Sequence, residues 1–316
     1  MSSAKKVTRG AARSPAIIVG AISPLTRVAG AMAILAGLAS LVQPALTFVR
    51  VGGRVLGSAH HVVDFLVPAP LAAALILAGA ASLAGRLPRF GLAVLIGAGS
   101  LAVGQLVRVL SWLDTSRRST LDLPFPDTLA ISAHYSAGAG MVLLAVIDGL
   151  LTAVLVLALF GWQRTVMDDE GSFESLRPAF TLLGFVAALV AAGGLTLPVG
   201  VATATSLGWD LPSLFDRVGA DQLAGWLEVT GVFVGGLAAS TAARPRLATV
   251  GILAGLAASL TTQSLATALL LVRSTAYTVN VGTGLLTASA VFFAALAVAA
   301  WRVTGPAFPA GPTGAR

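Results

Sequence analysis

Asp148 is the one ionisable residue in the apolar run from Ala139 to Phe160. Ala145, Val146, Ile147, Leu150 and Leu151 surround it, and a charged carboxylate at such a position costs about 2.5 to 3.5 kcal/mol on the membrane-insertion scale. It is therefore expected to face protein or water rather than lipid. Two roles fit that placement: a proton relay or polar substrate contact, or a carboxyl held structurally by hydrogen bonds within a bundle. Gln105 and Gln263, with Thr152, Thr261 and Thr262, carry the amides and hydroxyls expected to bond to it. Glu228, Arg108 and Arg273 lie near the ends of apolar runs. At about 1.5 Å of rise per residue, Glu228 and Arg273 fall at similar depths, which predicts an ion pair between the sixth and seventh apolar segments. Asp148, Gln105, Gln263, Glu228, Arg108 and Arg273 together form the candidate substrate or proton pathway.

A second constellation is His60, His61 and Asp64, where helical spacing puts His60 and Asp64 on one face. A proton-transfer pair or part of a metal site follows from those residue types, but His134 is the only further histidine. There is no His-Glu-x-x-His, no phosphate-binding glycine loop and no nucleophile elbow, and no cysteine to supply a thiol, disulfide or cluster ligand. No catalytic set, metal site or cofactor is predicted.

The elements that position these groups follow from composition. Among 316 residues, 56% are hydrophobic and 10% charged, with a mean hydropathy of +0.90. A soluble domain carries roughly a quarter charged residues, so lipid is the expected solvent. The net charge of +7 is spread between apolar runs without a basic, aromatic-laced stripe, which argues against nucleic acid. Apolar segments long enough to span a bilayer cover 28–49, 69–84, 91–110, 139–160, 179–199, 224–243, 247–272 and 282–301. The expected fold is an all-α polytopic transmembrane bundle of about eight spans. It follows a basic segment at 1–27 and ends in a Pro- and Gly-rich tail at 303–316 expected to be disordered.

With both termini inside, Arg50, Arg54, Arg108, Arg117, Arg118, Arg217 and Arg273 fall outside and the other basic residues inside, the bias of the positive-inside rule. Lys5 and Lys6 are the only lysines, and Ala and Gly abound. We read this as the product of a GC-rich bacterial genome, hence a bacterial cytoplasmic membrane with cytoplasmic N- and C-termini.

Two tandem four-helix halves, 28–160 and 179–302 joined by a cytoplasmic linker at 161–178, are predicted from internal similarity. Leu106-Val107-Arg108 resembles Leu271-Val272-Arg273, Gly149–Ala153 repeats as Gly284–Ala288, and Pro44 and Pro198 fall near the outer ends of the first and fifth spans, where they are expected to kink them. Four spans being an even number, the halves share one orientation. Gly231, Gly235, Gly251 and Gly255 mark helix-packing faces at four-residue spacing, closing within one chain or between protomers.

Three function classes remain. A transporter or permease would use the cleft between the halves, lined by Asp148, Gln105 and Gln263. A non-enzymatic scaffold or assembly partner would need only apolar faces. An outer-face enzyme on lipid-linked substrates would bring His60, Asp64, Asp114 and His134 together. Membrane lipids are the expected partners, with a membrane-protein partner or a second copy of the chain also open. A cavity reaching Asp148 between the halves favours transport, and a solid seam there favours a scaffold.

Overall fold

The computed structural model describes residues 22–51, 54–56, 61–85, 87–114, 120–123, 131–164, 176–198, 200–202, 213–217, 219–239, 246–273 and 277–303. The basic stretch before residue 22, most of the 161–178 linker and the tail from 304 lie outside them.

Helices carry the fold. They are α1 (Pro24–Val42), the single turn α2 (Val63–Leu66), α3 (Ala69–Ala84), α4 (Pro88–Gly99), α5 (Ala102–Leu113), α6 (Ala139–Gln163), α7 (Arg177–Thr196), α8 (Ala220–Leu237), α9 (Arg246–Arg273) and α10 (Val281–Arg302). Long Ala/Leu/Val runs become helices because a helix bonds every backbone group internally, the requirement that hydrocarbon imposes. Five of them, α1, α6, α7, α9 and α10, are long and apolar enough to cross a membrane. The consecutive helices α4 and α5 make a sixth when taken as one span bent by 41°. Large side chains such as Leu35, Leu77, Leu182 and Val291 are exposed, as lipid-facing residues are. The protein is thus a predominantly helical, membrane-type bundle.

Local chemistry sets the ends. Ser23 caps α1, its Oγ accepting from the Leu25 N–H at 3.3 Å, with Pro24 opening the helix. Asn280 caps α10 through Oδ1, which accepts from Val281 N–H at 2.7 Å. Gly85 ends α3 at φ +66°, a conformation that favours glycine, and Pro88 restarts the chain as α4. Pro44 lies in a 3-10 turn after α1, and Pro198 follows the end of α7. Neither proline kinks a helix from within.

Two small antiparallel sheets, which the all-α expectation omits, join the helix ends. Strands β1 (Val49–Val51), β2 (Arg54–Leu56), β3 (Thr120–Leu123) and β4 (Ile131–Ala137) form a sheet ordered β2-β1-β4-β3, and β5 (Gly200–Ala202) pairs with β6 (Tyr277–Val279). The strand after α1 pairs with the strand before α6, Val49 opposite Ala137. Likewise the strand after α7 pairs with the strand before α10, Gly200 opposite Val279. In both places the second residue of the returning helix donates its N–H to the chain leaving the first: Gly140 to Thr47 O at 2.8 Å and Gly282 to Pro198 O at 3.2 Å.

Within 24–163, α1 packs on α3 and α6, α3 on α4, and α4 and α5 on α6. Within 177–302, α7 packs on α8 and α10, and α9 on α8 and α10. Among the described residues the sets are joined chiefly through α4 with α9, α5 with α8, and α3 with α9. The seam rests on small residues. A Cβ on Gly97 would strike Ile252 O and approach Leu256 N at 3.0 Å, and one on Gly255 would strike Val94 O and approach Ala98 N at 2.6 Å. Gly251 lies against Phe90 O and the Ala93 Cβ, and Gly231 against Ser100 O, while Gly235 faces the Leu256 side chain of α9. All four glycines therefore lie against other segments of the same chain, Gly231 against the break between α4 and α5. Ser259 Oγ donates across the seam to Ala98 O at 3.0 Å. Gly251 lies against Phe90, Gly255 against Val94 and Ser259 against Ala98, so α4 and α9 run in the same direction and both sheets lie at one end of the bundle.

Candidate functional site

Gly104 permits the first polar contact. A Cβ there would meet Ala224 O at 2.5 Å and Glu228 N at 2.9 Å, so α5 and α8 approach backbone to backbone. One turn further along α5, on the same face, Arg108 meets Glu228. The guanidinium grips the carboxylate two-pronged: Nη2 donates to Oε2 at 3.0 Å, and Nη1 stands 3.0 Å from Oε1, outside hydrogen-bond geometry. The Glu228 side chain is 2% exposed and that of Arg108 22%. Glu228 thus pairs with the third apolar segment, a partner the sequence reading does not name. Equal depth is necessary for a bridge, but helix adjacency chooses the partner, and α5 is the neighbour that α8 holds most closely here. The Arg273 side chain lies outside the described residues.

Asp148 projects from α6 nine residues after its start, about 14 Å along the axis. It is 4% exposed, and among the described residues its carboxyl oxygens take no hydrogen bond. The hydroxyls expected to serve it are committed elsewhere. Thr152 donates to the Asp148 backbone oxygen at 2.8 Å, Thr261 to Ala257 O at 2.7 Å, and Thr262 Oγ1 accepts from Leu71 N–H at 3.2 Å. The last bond satisfies an orphan donor in the first turn of α3. Membrane-helix hydroxyls bond most readily to the preceding turn, a preference that residue type alone does not reveal.

Asp148, Gln105, Gln263, Arg108 and Glu228 all line one cavity of about 750 Å³, within the range of drug-sized ligand sites. It opens between helices of the two sets. Near the sheet-bearing end it is flanked by Phe48 and Trp112, whose rings meet edge to face at 6.4 Å and 84°. Its inner walls include Leu151, Ser259 and Leu286, and apolar groups dominate the lining.

Two lining residues were weighted too little in the sequence. Arg217 follows a 3-10 turn just before α8. Burial first, then the like charge of Arg108, draws its guanidinium below the ordinary value, with Glu228 and Asp221 opposing. Asp64 accepts the His61 backbone N–H on Oδ2 at 3.1 Å and lines the cavity. His60 and the side chain of His134 lie outside the described residues, His61 is exposed, and Asp114 is exposed and does not line the cavity. Among the described residues no group of three or more histidine and carboxylate side chains comes together.

Comparison with protein-family models, with curated proteins and with solved structures returns no match.

Proposed function

We propose that the chain is a transporter- or permease-like membrane protein whose ligand site is the cavity between two duplicated four-helix halves. The observation that carries the reading is the cavity itself: about 750 Å³, walled by both helix sets, with the buried, unbonded Asp148 on its surface. A scaffold needs only packed apolar faces and has no use for such a volume. Eight spans follow when α4 and α5 count as one and α3 and α8 each cross, giving four spans before the linker and four after.

Reciprocity at the seam supports the duplication. Moving 158 positions along the chain takes Gly97 to Gly255, Val94 to Ile252 and Ala98 to Leu256, and each glycine lies against the other helix's counterpart atoms. A two-fold relation predicts such an exchange of roles between the halves. The sheet registers give a parallel result, pairing Val49–Ala137 with Gly200–Val279 and Gly140 with Gly282. Under these relations Gln105 corresponds to Gln263, and both line the cavity. The string matches in the sequence are out of register: Leu106-Val107-Arg108 and its twin are shifted by about two helical turns, as are Gly149–Ala153 and Gly284–Ala288. The duplication is better supported by packing than by those strings.

Because the native chain lacks cysteine, single substitutions report access directly. Ala266→Cys, on the cavity wall, is expected to react with a membrane-impermeant maleimide applied at the sheet-bearing side of sealed vesicles. Leu151→Cys is expected to react from either side, as alternating access requires. No reaction at Ala266→Cys from any side would overturn the ligand-site reading; reaction of Leu151→Cys from one side only, in every condition, would overturn transport.

A further inference from the structure

The charges around the cavity do not cancel. Arg108 and Arg217 supply two positive groups; Asp64, Asp148 and Glu228 supply three negative ones. Arg108 faces Glu228 with both terminal nitrogens, and Arg217 couples to Glu228 and Asp221. Asp64 bonds the His61 backbone. Asp148 is left as the buried acid without a hydrogen bond from any described residue. A carboxylate out of water is stable only with a counter-charge or a proton. An anionic ligand would have to pull a guanidinium from Glu228 and then face Asp148, two unfavourable events. A cation meets the opposite conditions, since Asp148 awaits a partner and the faces of Phe48 and Trp112 attract positive charge.

Asymmetry between the halves points the same way. The position corresponding to Asp148, 142 residues on as Gly140 is to Gly282, is Ala290, and that corresponding to Arg108 is Ala266. The cavity therefore offers one acid, Asp148, whose carboxyl has no hydrogen-bond partner among the described residues. The rest of the wall is mainly apolar, with Leu144, Ile147, Leu151, Leu195 and Leu286 within it.

We infer that the cavity takes an amphipathic organic monocation, its charge against Asp148 and its apolar body against the leucine-rich wall beneath Trp112. This rests on the ligand-site reading above. The test uses tetraphenylphosphonium and tetraphenylborate, which carry the same four phenyl rings and differ in the sign of charge. Each is titrated as a radiolabelled ion against the full chain in lipid nanodiscs, with empty nanodiscs subtracted. Saturable binding of the phosphonium alone is expected, weakened about tenfold or more in Asp148→Asn, roughly 1.4 kcal/mol or more, and kept within about threefold in Asp148→Glu. Saturable binding of the borate, or unchanged phosphonium binding in Asp148→Asn, would overturn the cation assignment and leave the ligand site standing. Saturable binding of neither ion would overturn both. Should Asp148→Asn fail to fold, the contrast between the two ions on the native chain decides the matter.

Discussion

Removing Arg108 should hurt the protein more than neutralising its partner. In Arg108→Met the stem volume is largely kept, but the Glu228 carboxylate, 2% exposed, is stranded. Stranding one member of a buried pair costs about 3 to 5 kcal/mol. In Glu228→Gln the stranded group is Arg108, 22% exposed and on the cavity wall. Its long side chain can carry the charge to cavity water, and the glutamine oxygen still accepts a hydrogen bond, so about 1 to 2 kcal/mol is expected. In the double variant no carboxylate remains to be stranded, so its cost should be near that of Glu228→Gln and well below the sum of the singles. The interaction energy from the cycle is then about 2 kcal/mol or more.

The assay is equilibrium unfolding in mixed micelles of mild detergent and dodecyl sulfate, followed by helical circular dichroism and by the fluorescence of the five tryptophans. Additive singles, or a Glu228→Gln cost exceeding that of Arg108→Met, would refute the assignment of Arg108 as the partner that Glu228 requires inside the bundle.

The seam makes a paired prediction: Gly97→Ala and Gly255→Ala, whose added carbons meet equivalent backbone atoms, should each cost about 1 to 3 kcal/mol and by similar amounts in the same unfolding assay. Gly149→Ala and Gly284→Ala, which open onto free space, should instead gain about 0.5 to 1 kcal/mol from helix propensity. Ser259→Ala deletes the bond to Ala98 O between α9 and α4 and should cost about 1 kcal/mol, with faster amide exchange at the adjoining turns. Trp112, at the flank of the cavity, should lose fluorescence to a water-soluble quencher such as acrylamide, and a ligand seated below it should slow that quenching; no change on ligand saturation would place the ligand elsewhere.

The membrane-type bundle was legible because hydrocarbon constrains the sequence severely: a run such as Ala139–Phe160 with one ionisable residue has few other structures open to it. Asp148 was legible for the same reason, as an expensive residue whose cost must be answered. Its surroundings were not. Which of several hydroxyls faces a neighbour depends on helix rotation, and an Ala/Leu/Val helix, apolar all round, has no moment from which to read rotation. Arg108–Glu228 escaped for a related reason, since depth fixes one coordinate and adjacency needs another. Four of the six described strands, Val49–Val51 among them, have three residues and are too short for alternation to register; the seven-residue Ile131–Ala137 does alternate, but within a stretch between two apolar runs where the sequence reading places a loop. The bend between α4 and α5 carries no proline; Gly97, Gly99, Ser100 and Gly104 concentrate there, a signature that reads equally well as close packing.

Under the proposed duplication, the most informative residues are those in which the halves differ. That proposal matches Gly97 with Gly255 and Gln105 with Gln263, and symmetry alone would give the cleft matched walls. In that relation Arg108 and Asp148 are polar in one copy only, with Ala266 and Ala290 at their counterparts. Unpaired substitutions of this kind cost stability in an apolar medium. An Arg108–Glu228 pair can offset its own cost through mutual attraction. Asp148 takes no hydrogen bond on its carboxyl from any described residue, and it lines the cavity. The proposed cation site therefore rests on Asp148 rather than on the better-formed ion pair beside it.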